Sequence, residues 1–266
     1  MLVGLHDTCS TDEVKQEICN LLSCQYDVGN LTRSSVGNCS PILTHRLKSN
    51  FHRGSSLSSG LSQIVSQYAA IQVAHILGPE EIRRKANSPE VRDNPTLRGW
   101  FFEAYFFCSV WSEKELVLRT TDGDTFIFTS SIGWRQIKLS DPQADDCLIG
   151  ELLQCTPFNT PSIDGLLLRP TGGGSNEVVA QFVQVTLSDK HKIDLRYFKD
   201  FLDKAIARGL ISVSEVEICF VVPTAILEDF EVQPIDNCDA LATYGWPSDI
   251  EGVRSKLKIV GLDGGN

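Results

Sequence analysis

Apolar positions change period several times along this chain, and each change predicts an element. Residues 11–24, TDEVKQEICNLLSC, read as a helix opened by Thr11 or Asp12, and the Ser/Asn/Gly-rich stretch VGNLTRSSVGNCSP after it reads as loop. From Ser59, the residues Leu61, Ile64, Val65, Tyr68 and Ile71 lie on one side of a second helix, which Gly78 and Pro79 end. Pro79 can in turn open PEEIRRKA, because proline is tolerated at the first helical position. In 96-TLRGWFFEAYFFCSVW-111, Trp100, Phe101, Phe102, Tyr105, Phe106, Phe107 and Trp111 circle nearly the whole helix. A helix apolar all round belongs in an interior, which makes Glu103 inside it an oddity.

After this helix the period shortens to two. ELVLRT and TFIFTSS flank Asp122-Gly123 and predict a hairpin; GWRQIKLS supplies a third strand. SIDGLLLRP predicts a short apolar strand bearing Asp164, TGGGSNE a connecting turn, and VVAQFVQVTLS the next strand. Asp194 is placed to cap LRYFKDFLDKAIAR, whose buried stripe is Leu195, Phe198, Leu202, Ala205 and Ile206, with Gly209 at its C-terminal end. EVEICFVVP, residues 215–223, is expected as the final core strand. The acidic, proline-bearing segment from 224 reads as a tail with an edge strand over 257–260. A strand, a full helix and a strand in succession imply parallel pairing. The expected organisation is a helical segment over 1–90 and an α/β domain over 91–266.

Composition narrows the class. With 42% apolar residues the chain can bury a core, and no apolar run is long enough to span a membrane. The N-terminus lacks the basic and apolar regions of a signal peptide. Nine cysteines, scattered without a C-x-x-C pair or zinc spacing, read as reduced thiols of an intracellular environment. The net charge of −10 argues against indiscriminate phosphate binding. Its distribution is uneven: eight Lys/Arg face four acids over 45–98, against ten acids and three Lys/Arg over 214–266. The basic half, with Arg83, Arg84 and Lys85, is the part suited to a polyanion, solvated helix faces being the alternative.

Polar residues interrupt the expected core at Glu103, at Asp164, and at Gln184 with Thr186, which share a strand face. Buried carboxylates need a partner or a metal, and two of them with a further oxygen suit a hard cation such as Mg²⁺ or Mn²⁺. Each residue also has a plain alternative: Glu103 paired with Arg98, Asp164 as a turn acid before Gly165, and Gln184 and Thr186 as a hydrogen-bonded pair.

A helix Glu, a strand Asp and a polar-x-polar pair on the adjacent strand, followed by helix and strand, resemble the PD-(D/E)xK nuclease superfamily over roughly residues 95–222. NPTLRGWFFE, DGLLLRP and FVQVTLSDKHKID together look like the C-terminal region of Crinkler effectors of oomycetes and fungi and the related retrotransposon-hot-spot proteins. The resemblance implies a restriction-endonuclease-like mixed central sheet flanked by helices, with an N-terminal helical extension. It implies Asp164 as principal metal ligand, Glu103 as second carboxylate, Gln184 as a neutral oxygen and the Val185 carbonyl as a further ligand. Thr186 stands where the superfamily carries Lys, and Thr186 and His191 fit the Q-x-T…H pattern of the narrower family. Lys190, His191 or Lys192 would supply the missing cation or proton transfer. DNA would be the substrate, with Lys192 and Arg196 joining the basic helix as contacts. Host nuclear proteins would be the other partners, and the site of action would be the nucleus of a host cell after secretion. The NTPase module that precedes such domains has no counterpart here, since TGGGSNE lacks the phosphate-binding Lys. The same fold without catalysis, binding DNA or a host protein, is the alternative the sequence leaves open, and an interaction module docking an acidic partner is a third.

Overall fold

The computed structural model describes residues 48–50, 62–64, 74, 77–113, 115–129, 134–137, 149–155, 163–171 and 177–264. Two compact units divide the chain, Met1–Cys108 and Ser109–Asn266. The boundary falls inside the aromatic helix, where the sequence suggested residue 90.

In the first unit, β1 (Lys48–Asn50) pairs antiparallel with β2 (Ser62–Ile64). The sequence predicts helix at 62–64; the pairing is a non-local contact that a helical period cannot report, and such contacts override local propensity. The helix expected at 11–24 lies outside the described residues. Helix α1 (Pro79–Ala86) starts at its proline, as expected, after Gly78 in a positive-φ conformation. A short turn of helix, α2 (Pro89–Arg92), precedes α3 (Pro95–Ser112). The Asn94 carboxamide accepts the N–H groups of Thr96 and Leu97 and so opens α3. Phe101, Phe102, Phe106 and Phe107 of α3 are buried, in line with the all-round apolar pattern.

The second unit is built on one mixed eight-stranded sheet flanked by helices. Its strands are β3 (Glu115–Thr120), β4 (Thr125–Thr129), β5 (Trp134–Ile137), β6 (Leu152–Cys155), β7 (Gly165–Pro170) and β8 (Glu177–Val185). After these come β9 (Lys190–Asp194), helix α4 (Arg196–Ala207), β10 (Ser212–Pro223), β11 (Glu231–Asp236), helix α5 (Ile250–Lys256) and β12 (Lys258–Leu262). The spatial order is β4-β3-β12-β10-β8-β7-β6-β5, while β9 and β11 form a separate parallel pair. Strands β6, β7 and β8 form an antiparallel meander, and β8 runs parallel to β10 through the α4 crossover, as the strand–helix–strand reading requires.

The segment after 224 is ordered structure rather than a tail. Strand β12 lies between β10 and β3 in the interior of the sheet, not at its edge. Gly261 allows this: a Cβ there would stand 3.0 Å from Thr224 Oγ1 and 3.1 Å from Leu227 Cδ2. The polar content of 224–257 conceals the insertion because β11 and the 3-10 turn Cys238–Tyr244 supply buried apolar residues singly, as Val232, Ile235 and Leu241.

One face of the sheet carries Leu166 and Leu168 of β7, Val178, Ala180 and Phe182 of β8, and Val216, Ile218, Phe220 and Val222 of β10. Helix α4 closes over it, with Phe198 and Phe201 edge-on to the Phe182 ring at 5.0 and 5.9 Å. Phe201 belongs to the buried stripe, while Ile206, expected there, is 39% exposed. Asp194 does not occupy the capping position. Leu195 does, and the Asp194 carboxylate accepts the Arg196 N–H from one residue upstream. Among the described residues, no helix is long and apolar enough to cross a membrane.

Candidate functional site

Register alone brings Asp164 to Gln184. The last antiparallel pair of β7 and β8 is Gly165 with Val183, so the next residue outward on each strand, Asp164 and Gln184, face one another. Both are even-numbered positions on strands whose even positions face the core under α4. The Asp164 N–H donates to the Val183 carbonyl at 2.9 Å, and its carbonyl accepts the Cys155 N–H at 2.8 Å, tying the turn before β7 to both neighbouring strands. Asp164 is thus held by backbone bonds on two sides before its side chain acts.

Its carboxylate Oδ2 accepts two donors, the Gln184 Nε2 at 2.6 Å and the Val185 backbone N–H at 2.7 Å. These bonds favour the charged form, but burial outweighs them and pushes the carboxyl up to about 7. Gln184 is itself 8% exposed, and its Oε1 is buried with no hydrogen-bond partner. A buried acceptor left without a donor is uncommon and costs about 1–3 kcal/mol. The pair therefore offers an ionisable oxygen group and an unsatisfied amide oxygen side by side, a donor set suited to a hard cation. Among the described residues, no cluster of three or more His, Cys, Asp and Glu side chains stands ready for a metal.

His191 reaches the same face. Phe220 is in register with Gln184 on the neighbouring parallel strand, and the His191 ring packs edge-on to Phe220 at 5.5 Å. Burial holds the imidazole below its ordinary value, so it is a neutral acceptor or donor at neutral pH. Thr186 follows the end of β8. Its N–H still extends the ladder to the Val221 carbonyl at 3.0 Å, while its Oγ1 accepts the Ser188 N–H at 3.1 Å. The hydroxyl therefore closes the turn into β9 and adds no charge.

The lysines do not join this group. The sequence expected Lys190 and Lys192 at a helix entrance, whereas they sit on β9, whose alternation turns His191 and Ile193 one way and both lysines the other. Lys190 pairs with Glu231 at 3.6 Å and Lys192 with Asp236 at 2.8 Å. The basic contacts expected for nucleic acid are similarly engaged. Arg83 pairs with Glu80, Arg84 with Glu81, and Arg196 with Asp194, while Lys85 is buried. The i,i+3 spacing on α1 accounts for the first two, since residues three apart share a helix surface. Glu103 is buried in α3, within the first compact unit.

A second polar group escaped the sequence reading. On the sheet face opposite Gln184, Glu217 of β10 accepts Gln181 Nε2 at 2.8 Å, Arg169 Nη2 at 2.6 Å and Lys258 Nζ at 2.7 Å, joining four adjacent strands. The signal was present in polar positions 181 and 217 inside apolar strands; their meeting needed the β8–β10 register. Comparison of the chain with protein-family models, with curated proteins and with solved structures finds no match in any of the three.

Proposed function

We propose that the Asp164–Gln184 pair is the metal-holding centre of a phosphodiester-hydrolysing domain of the PD-(D/E)xK, restriction-endonuclease-like kind. The observation that carries this reading is the buried, unpartnered Gln184 Oε1 beside a carboxylate raised towards neutrality. The order β6-β7-β8-β10, with Asp164 at the start of the second strand and Gln184 at the end of the third, followed by α4 and β10, supports it further. Asp164 and Gln184 would hold Mg²⁺ or Mn²⁺, which when bound polarises a phosphoryl oxygen and acidifies water. Val185 keeps the carboxylate aimed through its N–H, and neutral His191 is the group able to accept a proton. The part of Glu103 as second carboxylate rests on the resemblance alone. DNA as substrate, and action of a Crinkler-like effector in the nucleus of a host cell on defence or cell death, belong to the same proposal and rest on the motifs rather than the geometry.

A second reading has its own observation. Thr186 is neutral, and Lys190 and Lys192 face away in ion pairs, so the cation expected beside the scissile phosphate is not supplied by these residues. A domain of this fold that binds DNA or a host protein without cutting fits that arrangement. Cleavage of single- and double-stranded DNA with Mg²⁺, with Mn²⁺ and with chelator, by wild type and Asp164→Asn, separates the two. Metal-dependent cleavage lost in the variant supports hydrolysis. Absence of cleavage with retained DNA binding moves the conclusion to the binding domain, and cleavage that persists in both the variant and chelator sinks the metal site.

A further inference from the structure

Strand β4 ends the eight-stranded sheet, and among the described residues only β3 is bonded to it. The Thr120 N–H donates to the Asp124 carbonyl at 2.9 Å, and this bond sets the phase of the β3–β4 ladder. Hydrogen-bonded and non-bonded pairs alternate in an antiparallel ladder, so Phe126 and Phe128 turn their backbone groups to β3. Thr125, Ile127 and Thr129 turn theirs outward. The same three residues are exposed, Ile127 at 51%, and its cross-strand neighbour Val117 is 58% exposed. Natural edges are commonly blunted by lysine, proline or a bulge. The five residues of β4, TFIFT, contain no charge and no proline, and they read identically in both directions about Ile127.

We propose that the outer edge of β4 is a homodimer interface, in which two copies of this chain pair β4 with β4 antiparallel about a two-fold axis at Ile127. In that register Ile127 opposes the partner's Ile127, and Thr125 opposes the partner's Thr129. These are the residues with outward backbone groups, so each opposed pair exchanges both of its hydrogen bonds. Val117, Ile127, the partner's Ile127 and the partner's Val117 form one apolar row across the axis, an isologous contact that closes on itself. Charge selects the same orientation. Asp122 and Asp124 lie at the hairpin turn, and antiparallel pairing sends the acidic turns of the two copies to opposite ends, whereas parallel pairing sets them side by side.

Sedimentation equilibrium of the full chain over a range of concentrations tests this. The expected result is a monomer–dimer equilibrium, with the dimer dissociation constant raised by at least about tenfold in Ile127→Lys, where like charges meet at the axis. At concentrations where both are monomeric the variant should melt as the wild type does, because the Ile127 side chain is exposed and its backbone groups do not serve β3. Ile127→Cys gives a reading independent of that variant's folding. Directly opposed residues in a bonded antiparallel pair have Cα atoms about 5.5 Å apart, within disulfide range, so oxidation should yield a covalent dimer above the wild-type background. A wild type that stays monomeric at every concentration overturns the proposal. So does a dimer that survives Ile127→Lys, an Ile127→Cys variant that does not cross-link, or assembly beyond the dimer.

Discussion

Replacing Asp164 by Asn should stabilise the metal-free protein, by an amount that grows with pH. The unfolded carboxyl titrates near 3.8, and burial raises the folded one to about 7. Below about pH 4 both states are protonated, and the group contributes no difference between wild type and variant. Between the two values the unfolded chain releases a proton that the folded chain keeps, so wild-type stability falls by about 1.4 kcal/mol per pH unit. Above about pH 7 the loss is complete and constant. The separation of the two values sets a ceiling of about 4 kcal/mol, and the partial exposure of the residue reduces it to about 2–4 kcal/mol. Asn keeps an oxygen to accept from Val185 and Gln184 while removing the charge. In a domain of this size the gain corresponds to a rise in Tm of about 5–12 °C at pH 8. Denaturant unfolding of both proteins in chelator from pH 4 to 8 provides the difference curve, in which other carboxylates cancel. A flat difference, or an Asp164→Asn protein less stable at pH 8, refutes the claim that the carboxyl is held against its charge.

Glu217→Ala should destabilise by about 1–3 kcal/mol, read by urea unfolding; removing one partner of a buried pair costs more, but Arg169 and Lys258 are 40% and 41% exposed and recover water. A variant within 0.5 kcal/mol of wild type, about the scatter of surface substitutions, would show the four-strand hub contributes nothing. Arg83→Ala with Arg84→Ala should leave DNA affinity and its salt dependence within about twofold by fluorescence anisotropy, since Glu80 and Glu81 already neutralise both cations. A tenfold loss would restore the basic helix as a nucleic-acid surface.

The amino-acid sequence is enough to place the elements whose period is local and strong. The buried aromatic helix, the β3–β4 hairpin at Asp122-Gly123, the β7 and β8 strands and the α4 crossover to β10 are all legible in apolar spacing and turn residues. It also singled out Asp164 and Gln184, because a polar side chain inside an apolar strand is costly and therefore conspicuous. Tertiary structure decided everything that depends on register. It set Asp164 opposite Gln184, recruited the Val185 N–H, which no side-chain reading contains, and drew β12 into the middle of the sheet. It also made 190–194 a strand, so that its two-residue period sent His191 to the core face and Lys190 and Lys192 to solvent. Local spacing records which way neighbouring side chains alternate. Which strand a residue meets is a long-range pairing, set by the closure of the whole sheet, and no window of sequence carries it.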